Sequence, residues 1–423
     1  MTELMLEKVH FTALANGGAA LGRLADGRVI FADGILPGEL ALIQYVKTDS
    51  RYVNGRLVDV LEPSPHRIQS ACPLFGICAG CRLQFLNEAD QRLEKQEILV
   101  DQLRRIAKIS NPETVLKAMI PSPQAWNYRK SARFMISTEG TLCFPTDDPE
   151  ALIPVDVCPI CSAMINELLP GLSLAPEIGV TEVEVREADG EEMQLILYGE
   201  SDRPETEIEI DFALSVVYSS PSGSYVIAGD STVLQIVAGL EMAVSEDNDF
   251  YPNPAVFDEV CRQIKDWLPA DPIGTVLNLN AGTGFWSKWF ASRCEQVLAL
   301  EQDEKNMEDF VLNLDEFENV TLYLGMPQEI IPGLHEKIQL AVCEAGPAGL
   351  HKDTIAALAA TGVKRIFYLG EDASIVARDA ARMLEHGYQL SGLIPFDDEP
   401  QTAKISALCI FDSGIHAVNT DQQ

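Results

Sequence analysis

Positive charge is scarce in this chain: 31 Lys and Arg side chains face 64 Asp and Glu, for a net charge of -33. Long apolar runs are missing too. None approaches the roughly 18 residues that a membrane-spanning helix needs, so the sequence predicts no membrane anchor. The opening residues MTELMLEKVHF lack a basic region followed by an apolar one, which argues against secretion and predicts a cytoplasmic protein. Ten cysteines in such a chain point to thiols or metal ligands rather than to a disulfide framework. The shortage of basic residues opposes phosphate binding, but the charge is unevenly spread. Residues 1–81 carry a net -1, residues 82–134 a net +4 and residues 135–423 a net -36. Any polyanion is therefore expected on residues 1–134, while the acidic remainder faces solvent. Simple solubility is the alternative meaning of that acidity.

At 423 residues the chain is long enough for two or three cores. Residues 1–62 alternate short β-prone runs with Ala-Asp-Gly and Pro-Gly breaks, the pattern of five strands in a small barrel. Arg23, Arg28, Lys47 and Arg51 fall near its expected loops, as in barrels that bind nucleic acid. The stretch LEPSPHR marks a linker and a boundary near residue 63. Leu93, Ile98, Leu99, Leu103 and Ile106 recur at helical spacing and predict a helix over residues 87–109. Residues 128–240 return to short β-prone runs, which predict an antiparallel sheet in a second domain spanning 63–240. From 241 to 423 strands and helices alternate, as in a doubly wound α/β domain.

Cys72, Cys78 and Cys81 follow a C-x5-C-x2-C spacing, and Cys158 and Cys161 a C-x2-C spacing. Thiolates two residues apart can grip one metal from a single turn, so a metal site is expected. Spacing alone leaves the metal open: Cys78, Cys81, Cys158 and Cys161 suit zinc, and Cys72, Cys78, Cys81 with one later cysteine suit an iron–sulfur cluster. Cys143, Cys261, Cys294, Cys343 and Cys409 are isolated, as core residues are. In VLNLNAGTGFWSKWFA a strand leads into Gly282 and Gly284 and then a helix, and Glu301 ends the next strand. Glycines there let a backbone approach a ligand, and an acid about twenty residues on can accept from ribose hydroxyls. A nucleoside cofactor fits that order.

The segment CPLFGICAGCRLQF, the helix with Lys95 and Gln96, and the distant Cys158 resemble bacterial RNA 5-methyluridine methyltransferases over nearly the whole chain. The stretch GGAALGRLADGRVIFADGILPGE is similar to the TRAM barrel of that family, an RNA-binding module with an OB-type fold. The resemblance implies an N-terminal TRAM barrel, a central β-rich iron–sulfur domain and a C-terminal Rossmann-like methyltransferase domain. It favours a [4Fe–4S] cluster on Cys72, Cys78, Cys81 and Cys158, with zinc as the alternative and Cys161 as a neighbour. It further implies S-adenosyl-L-methionine near Asn253, Asn278, Gly282, Gly284, Glu301 and Glu344. WNYRKSARF resembles a segment that places Tyr128, Arg129, Lys130 and Arg133 against ribosomal or transfer RNA. A monomer is expected.

The sequence departs from this pattern at the chemistry. Methylating uracil at C5 takes a nucleophile that adds at C6 and a base that removes the C5 proton; a thiolate serves the first need. Glu371 stands at the position of the family's cysteine, upstream of a retained Ala377-Arg378-Asp379, and Ser406 stands where the base Glu is expected. Asn278 replaces an Asp, Tyr251-Pro252-Asn253 replaces Gln-x-Asn, and Glu344-Ala345-Gly346-Pro347 replaces an Asp-Pro-Pro-Arg-like loop. A carboxylate is a weak nucleophile toward C6, and Cys343 is the only thiol close by in sequence. The sequence thus predicts an RNA methyltransferase whose uracil chemistry is altered or lost. The alternative is a non-catalytic RNA-binding iron–sulfur protein or scaffold.

Overall fold

The computed structural model describes residues 5–148, 150–174, 179–200 and 214–414. Five strands, β1 (Leu6–Leu14), β2 (Ala20–Arg23), β3 (Val29–Ala32), β4 (Leu40–Thr48) and β5 (Tyr52–Glu62), close into a barrel in the order β1-β2-β3-β5-β4. Alternation decides what lies inside: Val9, Phe11, Ile30, Ala41, Ile43 and Val53 are buried, and their neighbours face outward. The curvature requires Gly55, because a Cβ there would sit 2.2 Å from Ile43 Cγ2. Closure pairs the outer strands with each other and removes the sheet edges.

Helix α1 (Glu88–Arg105) starts where Asn87 caps the Asp90 amide. Ile98, Leu99 and Leu103 are buried as their spacing predicts, but Leu93 is exposed. The polar Gln91 and Lys95 take the inward positions of that turn instead. Strands β6 (Ser131–Ile136), β7 (Leu142–Pro145) and β8 (Leu152–Pro154), helix α2 (Ala163–Leu168), and strands β9 (Val180–Glu187), β10 (Met193–Gly199), β11 (Leu214–Ser220) and β12 (Gly223–Ala228) follow. The strands form one sheet in the order β12-β11-β10-β9-β6-β7-β8. The expectation of a wholly antiparallel sheet is corrected at one place, since β10 and β11 pair in parallel. A hairpin, β13 (Thr232–Val237) and β14 (Leu240–Ser245), packs Val233, Val237, Met242 and Val244 into a core shared with Phe250, Phe257 and Trp289.

The remaining elements are α3 (Phe257–Asp266), β15 (Ile273–Leu279), α4 (Phe285–Ala291), β16 (Cys294–Glu301), α5 (Asn306–Leu314), β17 (Val320–Leu324), α6 (Pro327–Ile330), β18 (Ile338–Ala345), α7 (Lys352–Ala360), β19 (Arg365–Gly370), α8 (Ala373–Glu385), β20 (Tyr388–Phe396) and β21 (Ser406–Ser413). Their sheet runs β17-β16-β15-β18-β19-β21-β20, with β15 to β19 parallel and β21 reversed. From β15 the chain steps outward through β16 and β17, then returns to β18 on the other side. That reversal opens a crevice at the carboxyl ends of β15 and β18, where doubly wound sheets bind ligands. Apolar side chains of the barrel, α1 and one face of this sheet form one continuous core. Among the described residues no helix is long and apolar enough to cross a membrane.

Candidate functional site

The glycine turn lies at the end of β15. Gly282 has φ +54° and open space where a Cβ would be, so its backbone is accessible to a ligand. Gly284, at φ +98°, caps α4, and a Cβ there would lie 2.4 Å from Leu314 Cδ1. Its glycine is required by packing against α5 as much as by the turn. Glu301 is 4% exposed and accepts from the Gly282 amide at 2.7 Å, and from the Gln302 and Asp303 amides at 2.7 and 2.9 Å. Its carboxylate holds the turn in place. Asn278, expected near the cofactor, is fully buried; its amide donates to Ser287 Oγ of α4 at 2.9 Å, and its Oδ1 has no hydrogen-bond partner among the described residues.

Beside the turn lies a cavity of about 30 Å³, lined among others by Tyr251, Asn253, Glu344, Glu371, Asp398 and Lys404. That is roughly the room of one water molecule. The Tyr251 hydroxyl and the Trp286 indole both donate to Glu344 Oε2, at 2.8 and 2.9 Å, and fill the crevice above β18. Burial pushes the Glu344 carboxyl up to about 7, against the lowering by the Tyr251 hydrogen bond. Burial likewise raises Glu371 and Asp398, while Lys404, 3.3 Å from Glu371, 3.1 Å from Asp398 and 3.0 Å from Glu399, opposes it. Ser406 Oγ and Asp398 Oδ1 are buried without a hydrogen-bond partner. Cys343, the thiol nearest in sequence, is fully buried on the opposite face of β18 from Glu344. Burial raises its thiol above the ordinary range, and it does not line the cavity. The cavity therefore holds groups that exchange protons but no thiol.

One loop, residues 397–404, forms most of that wall, and it is tied down from every side. Lys95 of α1, 1% exposed, pairs with Asp397 at 2.6 Å and donates to the Glu399 carbonyl at 3.0 Å. The Gln91 side chain exchanges hydrogen bonds with Gln401. Asn253 donates to the Asp398 carbonyl at 2.8 Å and to Ser122 Oγ at 2.9 Å, so it is a brace and not an open cofactor contact. Two of the residues expected against RNA meet the same loop. Tyr128 is 5% exposed and its hydroxyl donates to the Pro400 carbonyl at 2.9 Å; the Arg129 guanidinium pairs with Glu399. Lys130 lies 3.5 Å from Glu187, and Arg133, half exposed, lies 2.8 Å from Glu184 and over the Tyr198 ring. Sequence reasoning missed Lys404, and it named Lys95 only as part of a family segment without a role. A lysine within an apolar helical stripe, and one just after the acidic run Asp397-Asp398-Glu399, were the available signals.

Cys72, Cys78, Cys81, Cys158 and Cys161 line a second cavity, of about 280 Å³, together with Arg129, Arg133 and Phe144. Sequence segments 77 residues apart thus converge, as their spacing required. A hydrogen bond from Cys161 holds the Cys158 thiol down to about 6, whereas burial pushes Cys81 up to about 12. Among the described residues no three His, Cys, Asp or Glu side chains converge closely enough to hold a lone metal ion. The isolated Cys143, Cys261, Cys343 and Cys409 are buried and Cys294 is half-buried.

No protein-family model matches the chain. It is 28% identical over 428 residues to the 23S rRNA (uracil(1939)-C(5))-methyltransferase of Shewanella sediminis, covering 96% of this chain and 95% of that one. It is 26% identical to an uncharacterized RNA methyltransferase of Streptomyces coelicolor, covering 96% and 92% of the two chains. Its fold superposes on the tRNA (uracil-54, C5)-methyltransferase of Pyrococcus abyssi with a TM-score of 0.74 at 16% identity, over 95% of this chain and 99% of that one. Barrel, central sheet and doubly wound domain occur there in a single chain of the same architecture. These comparisons support a place for the chain in the RNA 5-methyluridine methyltransferase family.

Proposed function

We propose that this protein binds RNA, carries a [4Fe–4S] cluster on Cys72, Cys78, Cys81 and Cys158, and does not methylate uracil C5 by thiolate addition. The observation that carries the last point is the Glu371–Lys404 ion pair at the position of the family's nucleophile, in a cavity of about 30 Å³ without a thiol. An ammonium-paired carboxylate is a poor nucleophile toward a pyrimidine C6. Ser406, without a titratable group, cannot take the C5 proton. RNA as the polymer is supported by full-length relatives named as RNA methyltransferases and by the positive balance of residues 82–134.

S-adenosyl-L-methionine fits this crevice at one end only. The open space at Gly282, in a turn held by Glu301, suits a nucleoside, but Tyr251 and Trp286 close the space toward Glu344. When bound, the cofactor supplies an electrophilic methyl group; the residues present offer it a nucleoside cradle and a closed methyl end. The cluster fits better, since four thiols line one cavity larger than a single ion fills. Iron and acid-labile sulfide assays on anaerobically purified protein are expected to find about four of each. A single zinc instead overturns the cluster assignment.

The test of function is label transfer from methyl-tritiated S-adenosyl-L-methionine to RNA lacking 5-methyluridine, with RNA retention measured in parallel. RNA retention without labelled 5-methyluridine is expected, and labelled 5-methyluridine overturns the proposal. A second reading is methyl transfer to nitrogen or oxygen, which needs no covalent adduct; in its favour, Glu344 lines the cavity and burial pushes its carboxyl up to about 7. Label in another nucleoside selects that reading.

A further inference from the structure

A third cavity, of about 400 Å³, opens between the segment that follows the barrel and the start of α1. Its wall includes the half-buried indole of Trp126, the guanidinium of Arg92, and the side-chain amides of Gln69, Gln84 and Gln401. Arg92 makes no ion pair or hydrogen bond among the described residues, although Glu88 also lines the groove. The groove thus holds an unpaired guanidinium and an indole in its lining, in a chain with a net charge of -33. Gln401 of this wall, at φ 71°, and Asn127, the residue after Trp126, at φ 54°, hold left-handed backbones without being glycine. Such conformations persist only where surrounding contacts fix them, and they gather at ligand clamps.

We infer that this groove binds one unpaired nucleotide of an RNA strand, its base stacked on Trp126 and its phosphate or base edge held by Arg92. The chemistry selects a nucleotide over a peptide. A tryptophan face stacks on any base, carboxamides offer both donors and acceptors to a base edge, and a guanidinium matches phosphate. Most of its lining, Gln84 to Trp126, comes from residues 82–134, the segment with a positive balance. Its place is equally telling: the loop 397–404 presents Glu399 to the methyltransferase cavity and, two residues on, Gln401 to this groove. The groove and the smaller cavity therefore lie on either side of that loop. The inference rests on the RNA-binding reading above.

The experiment uses the full chain and a fluorescein-labelled, mixed-sequence single-stranded RNA of twelve nucleotides, followed by fluorescence anisotropy. Trp126→Ala is expected to weaken binding roughly ten- to hundred-fold, the range of one lost base stack, and Trp126→Phe to restore most of it. Arg92→Gln, at a half-exposed position that folding tolerates, is expected to weaken binding and lower the salt dependence by about one ion. In parallel, photo-crosslinking with 4-thiouridine in the same RNA is expected to label the peptide containing Trp126. If the unaltered protein binds RNA and all three variants match it, the groove assignment is overturned while RNA binding stands. If the unaltered protein binds no RNA, the underlying reading fails and takes this one with it.

Discussion

Replacing Lys404 by Met tests the electrostatic account of the site most directly. Lys404 is 23% exposed in its side chain and is the cation shared by Glu371, Asp398 and Glu399; with it gone, only Arg129 remains, bound to Glu399. Removing one member of a buried ionic cluster costs about 3–5 kcal/mol, because the remaining charges stay desolvated. Partial exposure of Glu371 and Lys404 lowers that to roughly 3 kcal/mol at pH 8. The sign of the pH dependence follows from Glu371 and Asp398, whose folded-state carboxyls sit above their ordinary values. Such groups contribute stability when protonated, fully below their unfolded values, and lose it as pH rises through the folded ones. Without Lys404 both rise further, so the variant loses most stability at high pH and recovers part of it near pH 5.5. For a domain of this size roughly 3 kcal/mol lowers Tm by about 6–12 °C at pH 8, and about half as much is expected at pH 5.5. Scanning calorimetry at the two pH values measures it. Equal losses at both values would refute the idea that uncompensated carboxylates are the cause, and Lys404→Met with Glu371→Gln is expected to regain part of the loss at pH 8.

Three further outcomes are expected. The unaltered protein forms no covalent complex with 5-fluorouridine-containing RNA in denaturing gels, because no thiol lines the cavity; a shifted band contradicts the assignment of Glu371. Gly284→Ala lowers Tm by an amount equivalent to about 1–3 kcal/mol, from positive φ and the contact with Leu314, whereas Gly282→Ala, with open space at its Cβ, costs only its backbone strain and weakens S-adenosyl-L-methionine binding in calorimetry. Chelation of iron from the anaerobic protein loosens the segments carrying Cys72–Cys81 and Cys158, measured as faster amide exchange there, while exchange in β15–β19 stays unchanged.

Much of the architecture was legible because each part has its own local signature. Period-two alternation with glycine breaks gave the barrel, 3.6-residue spacing gave α1, and strand–helix alternation gave the doubly wound sheet. Close-spaced cysteines identified one shared cavity from segments far apart in sequence. Family motifs located Glu371 and Glu344, and both do line the methyltransferase cavity.

The contacts that could not be read from the sequence are those whose direction depends on distant neighbours. Tyr128 and Arg129 carry the composition of an RNA contact, yet the loop 397–404 lies against them and takes their hydroxyl and guanidinium. Asn278 sits beside the glycine turn in sequence but on the alternate face of β15, where Ser287 is its partner. Lys95 lies on an amphipathic helix like any solvated lysine until Asp397, 302 residues later, is brought to it. The sequence by itself thus determines periodicity, turn chemistry and which reactive groups the chain does not have at family positions, since these are properties of near neighbours. Which polar side chain meets which carboxylate, how far the crevice is filled by Tyr251 and Trp286, and that Trp126 and Arg92 share a groove are decided only when α1, the central sheet and the loop 397–404 pack together.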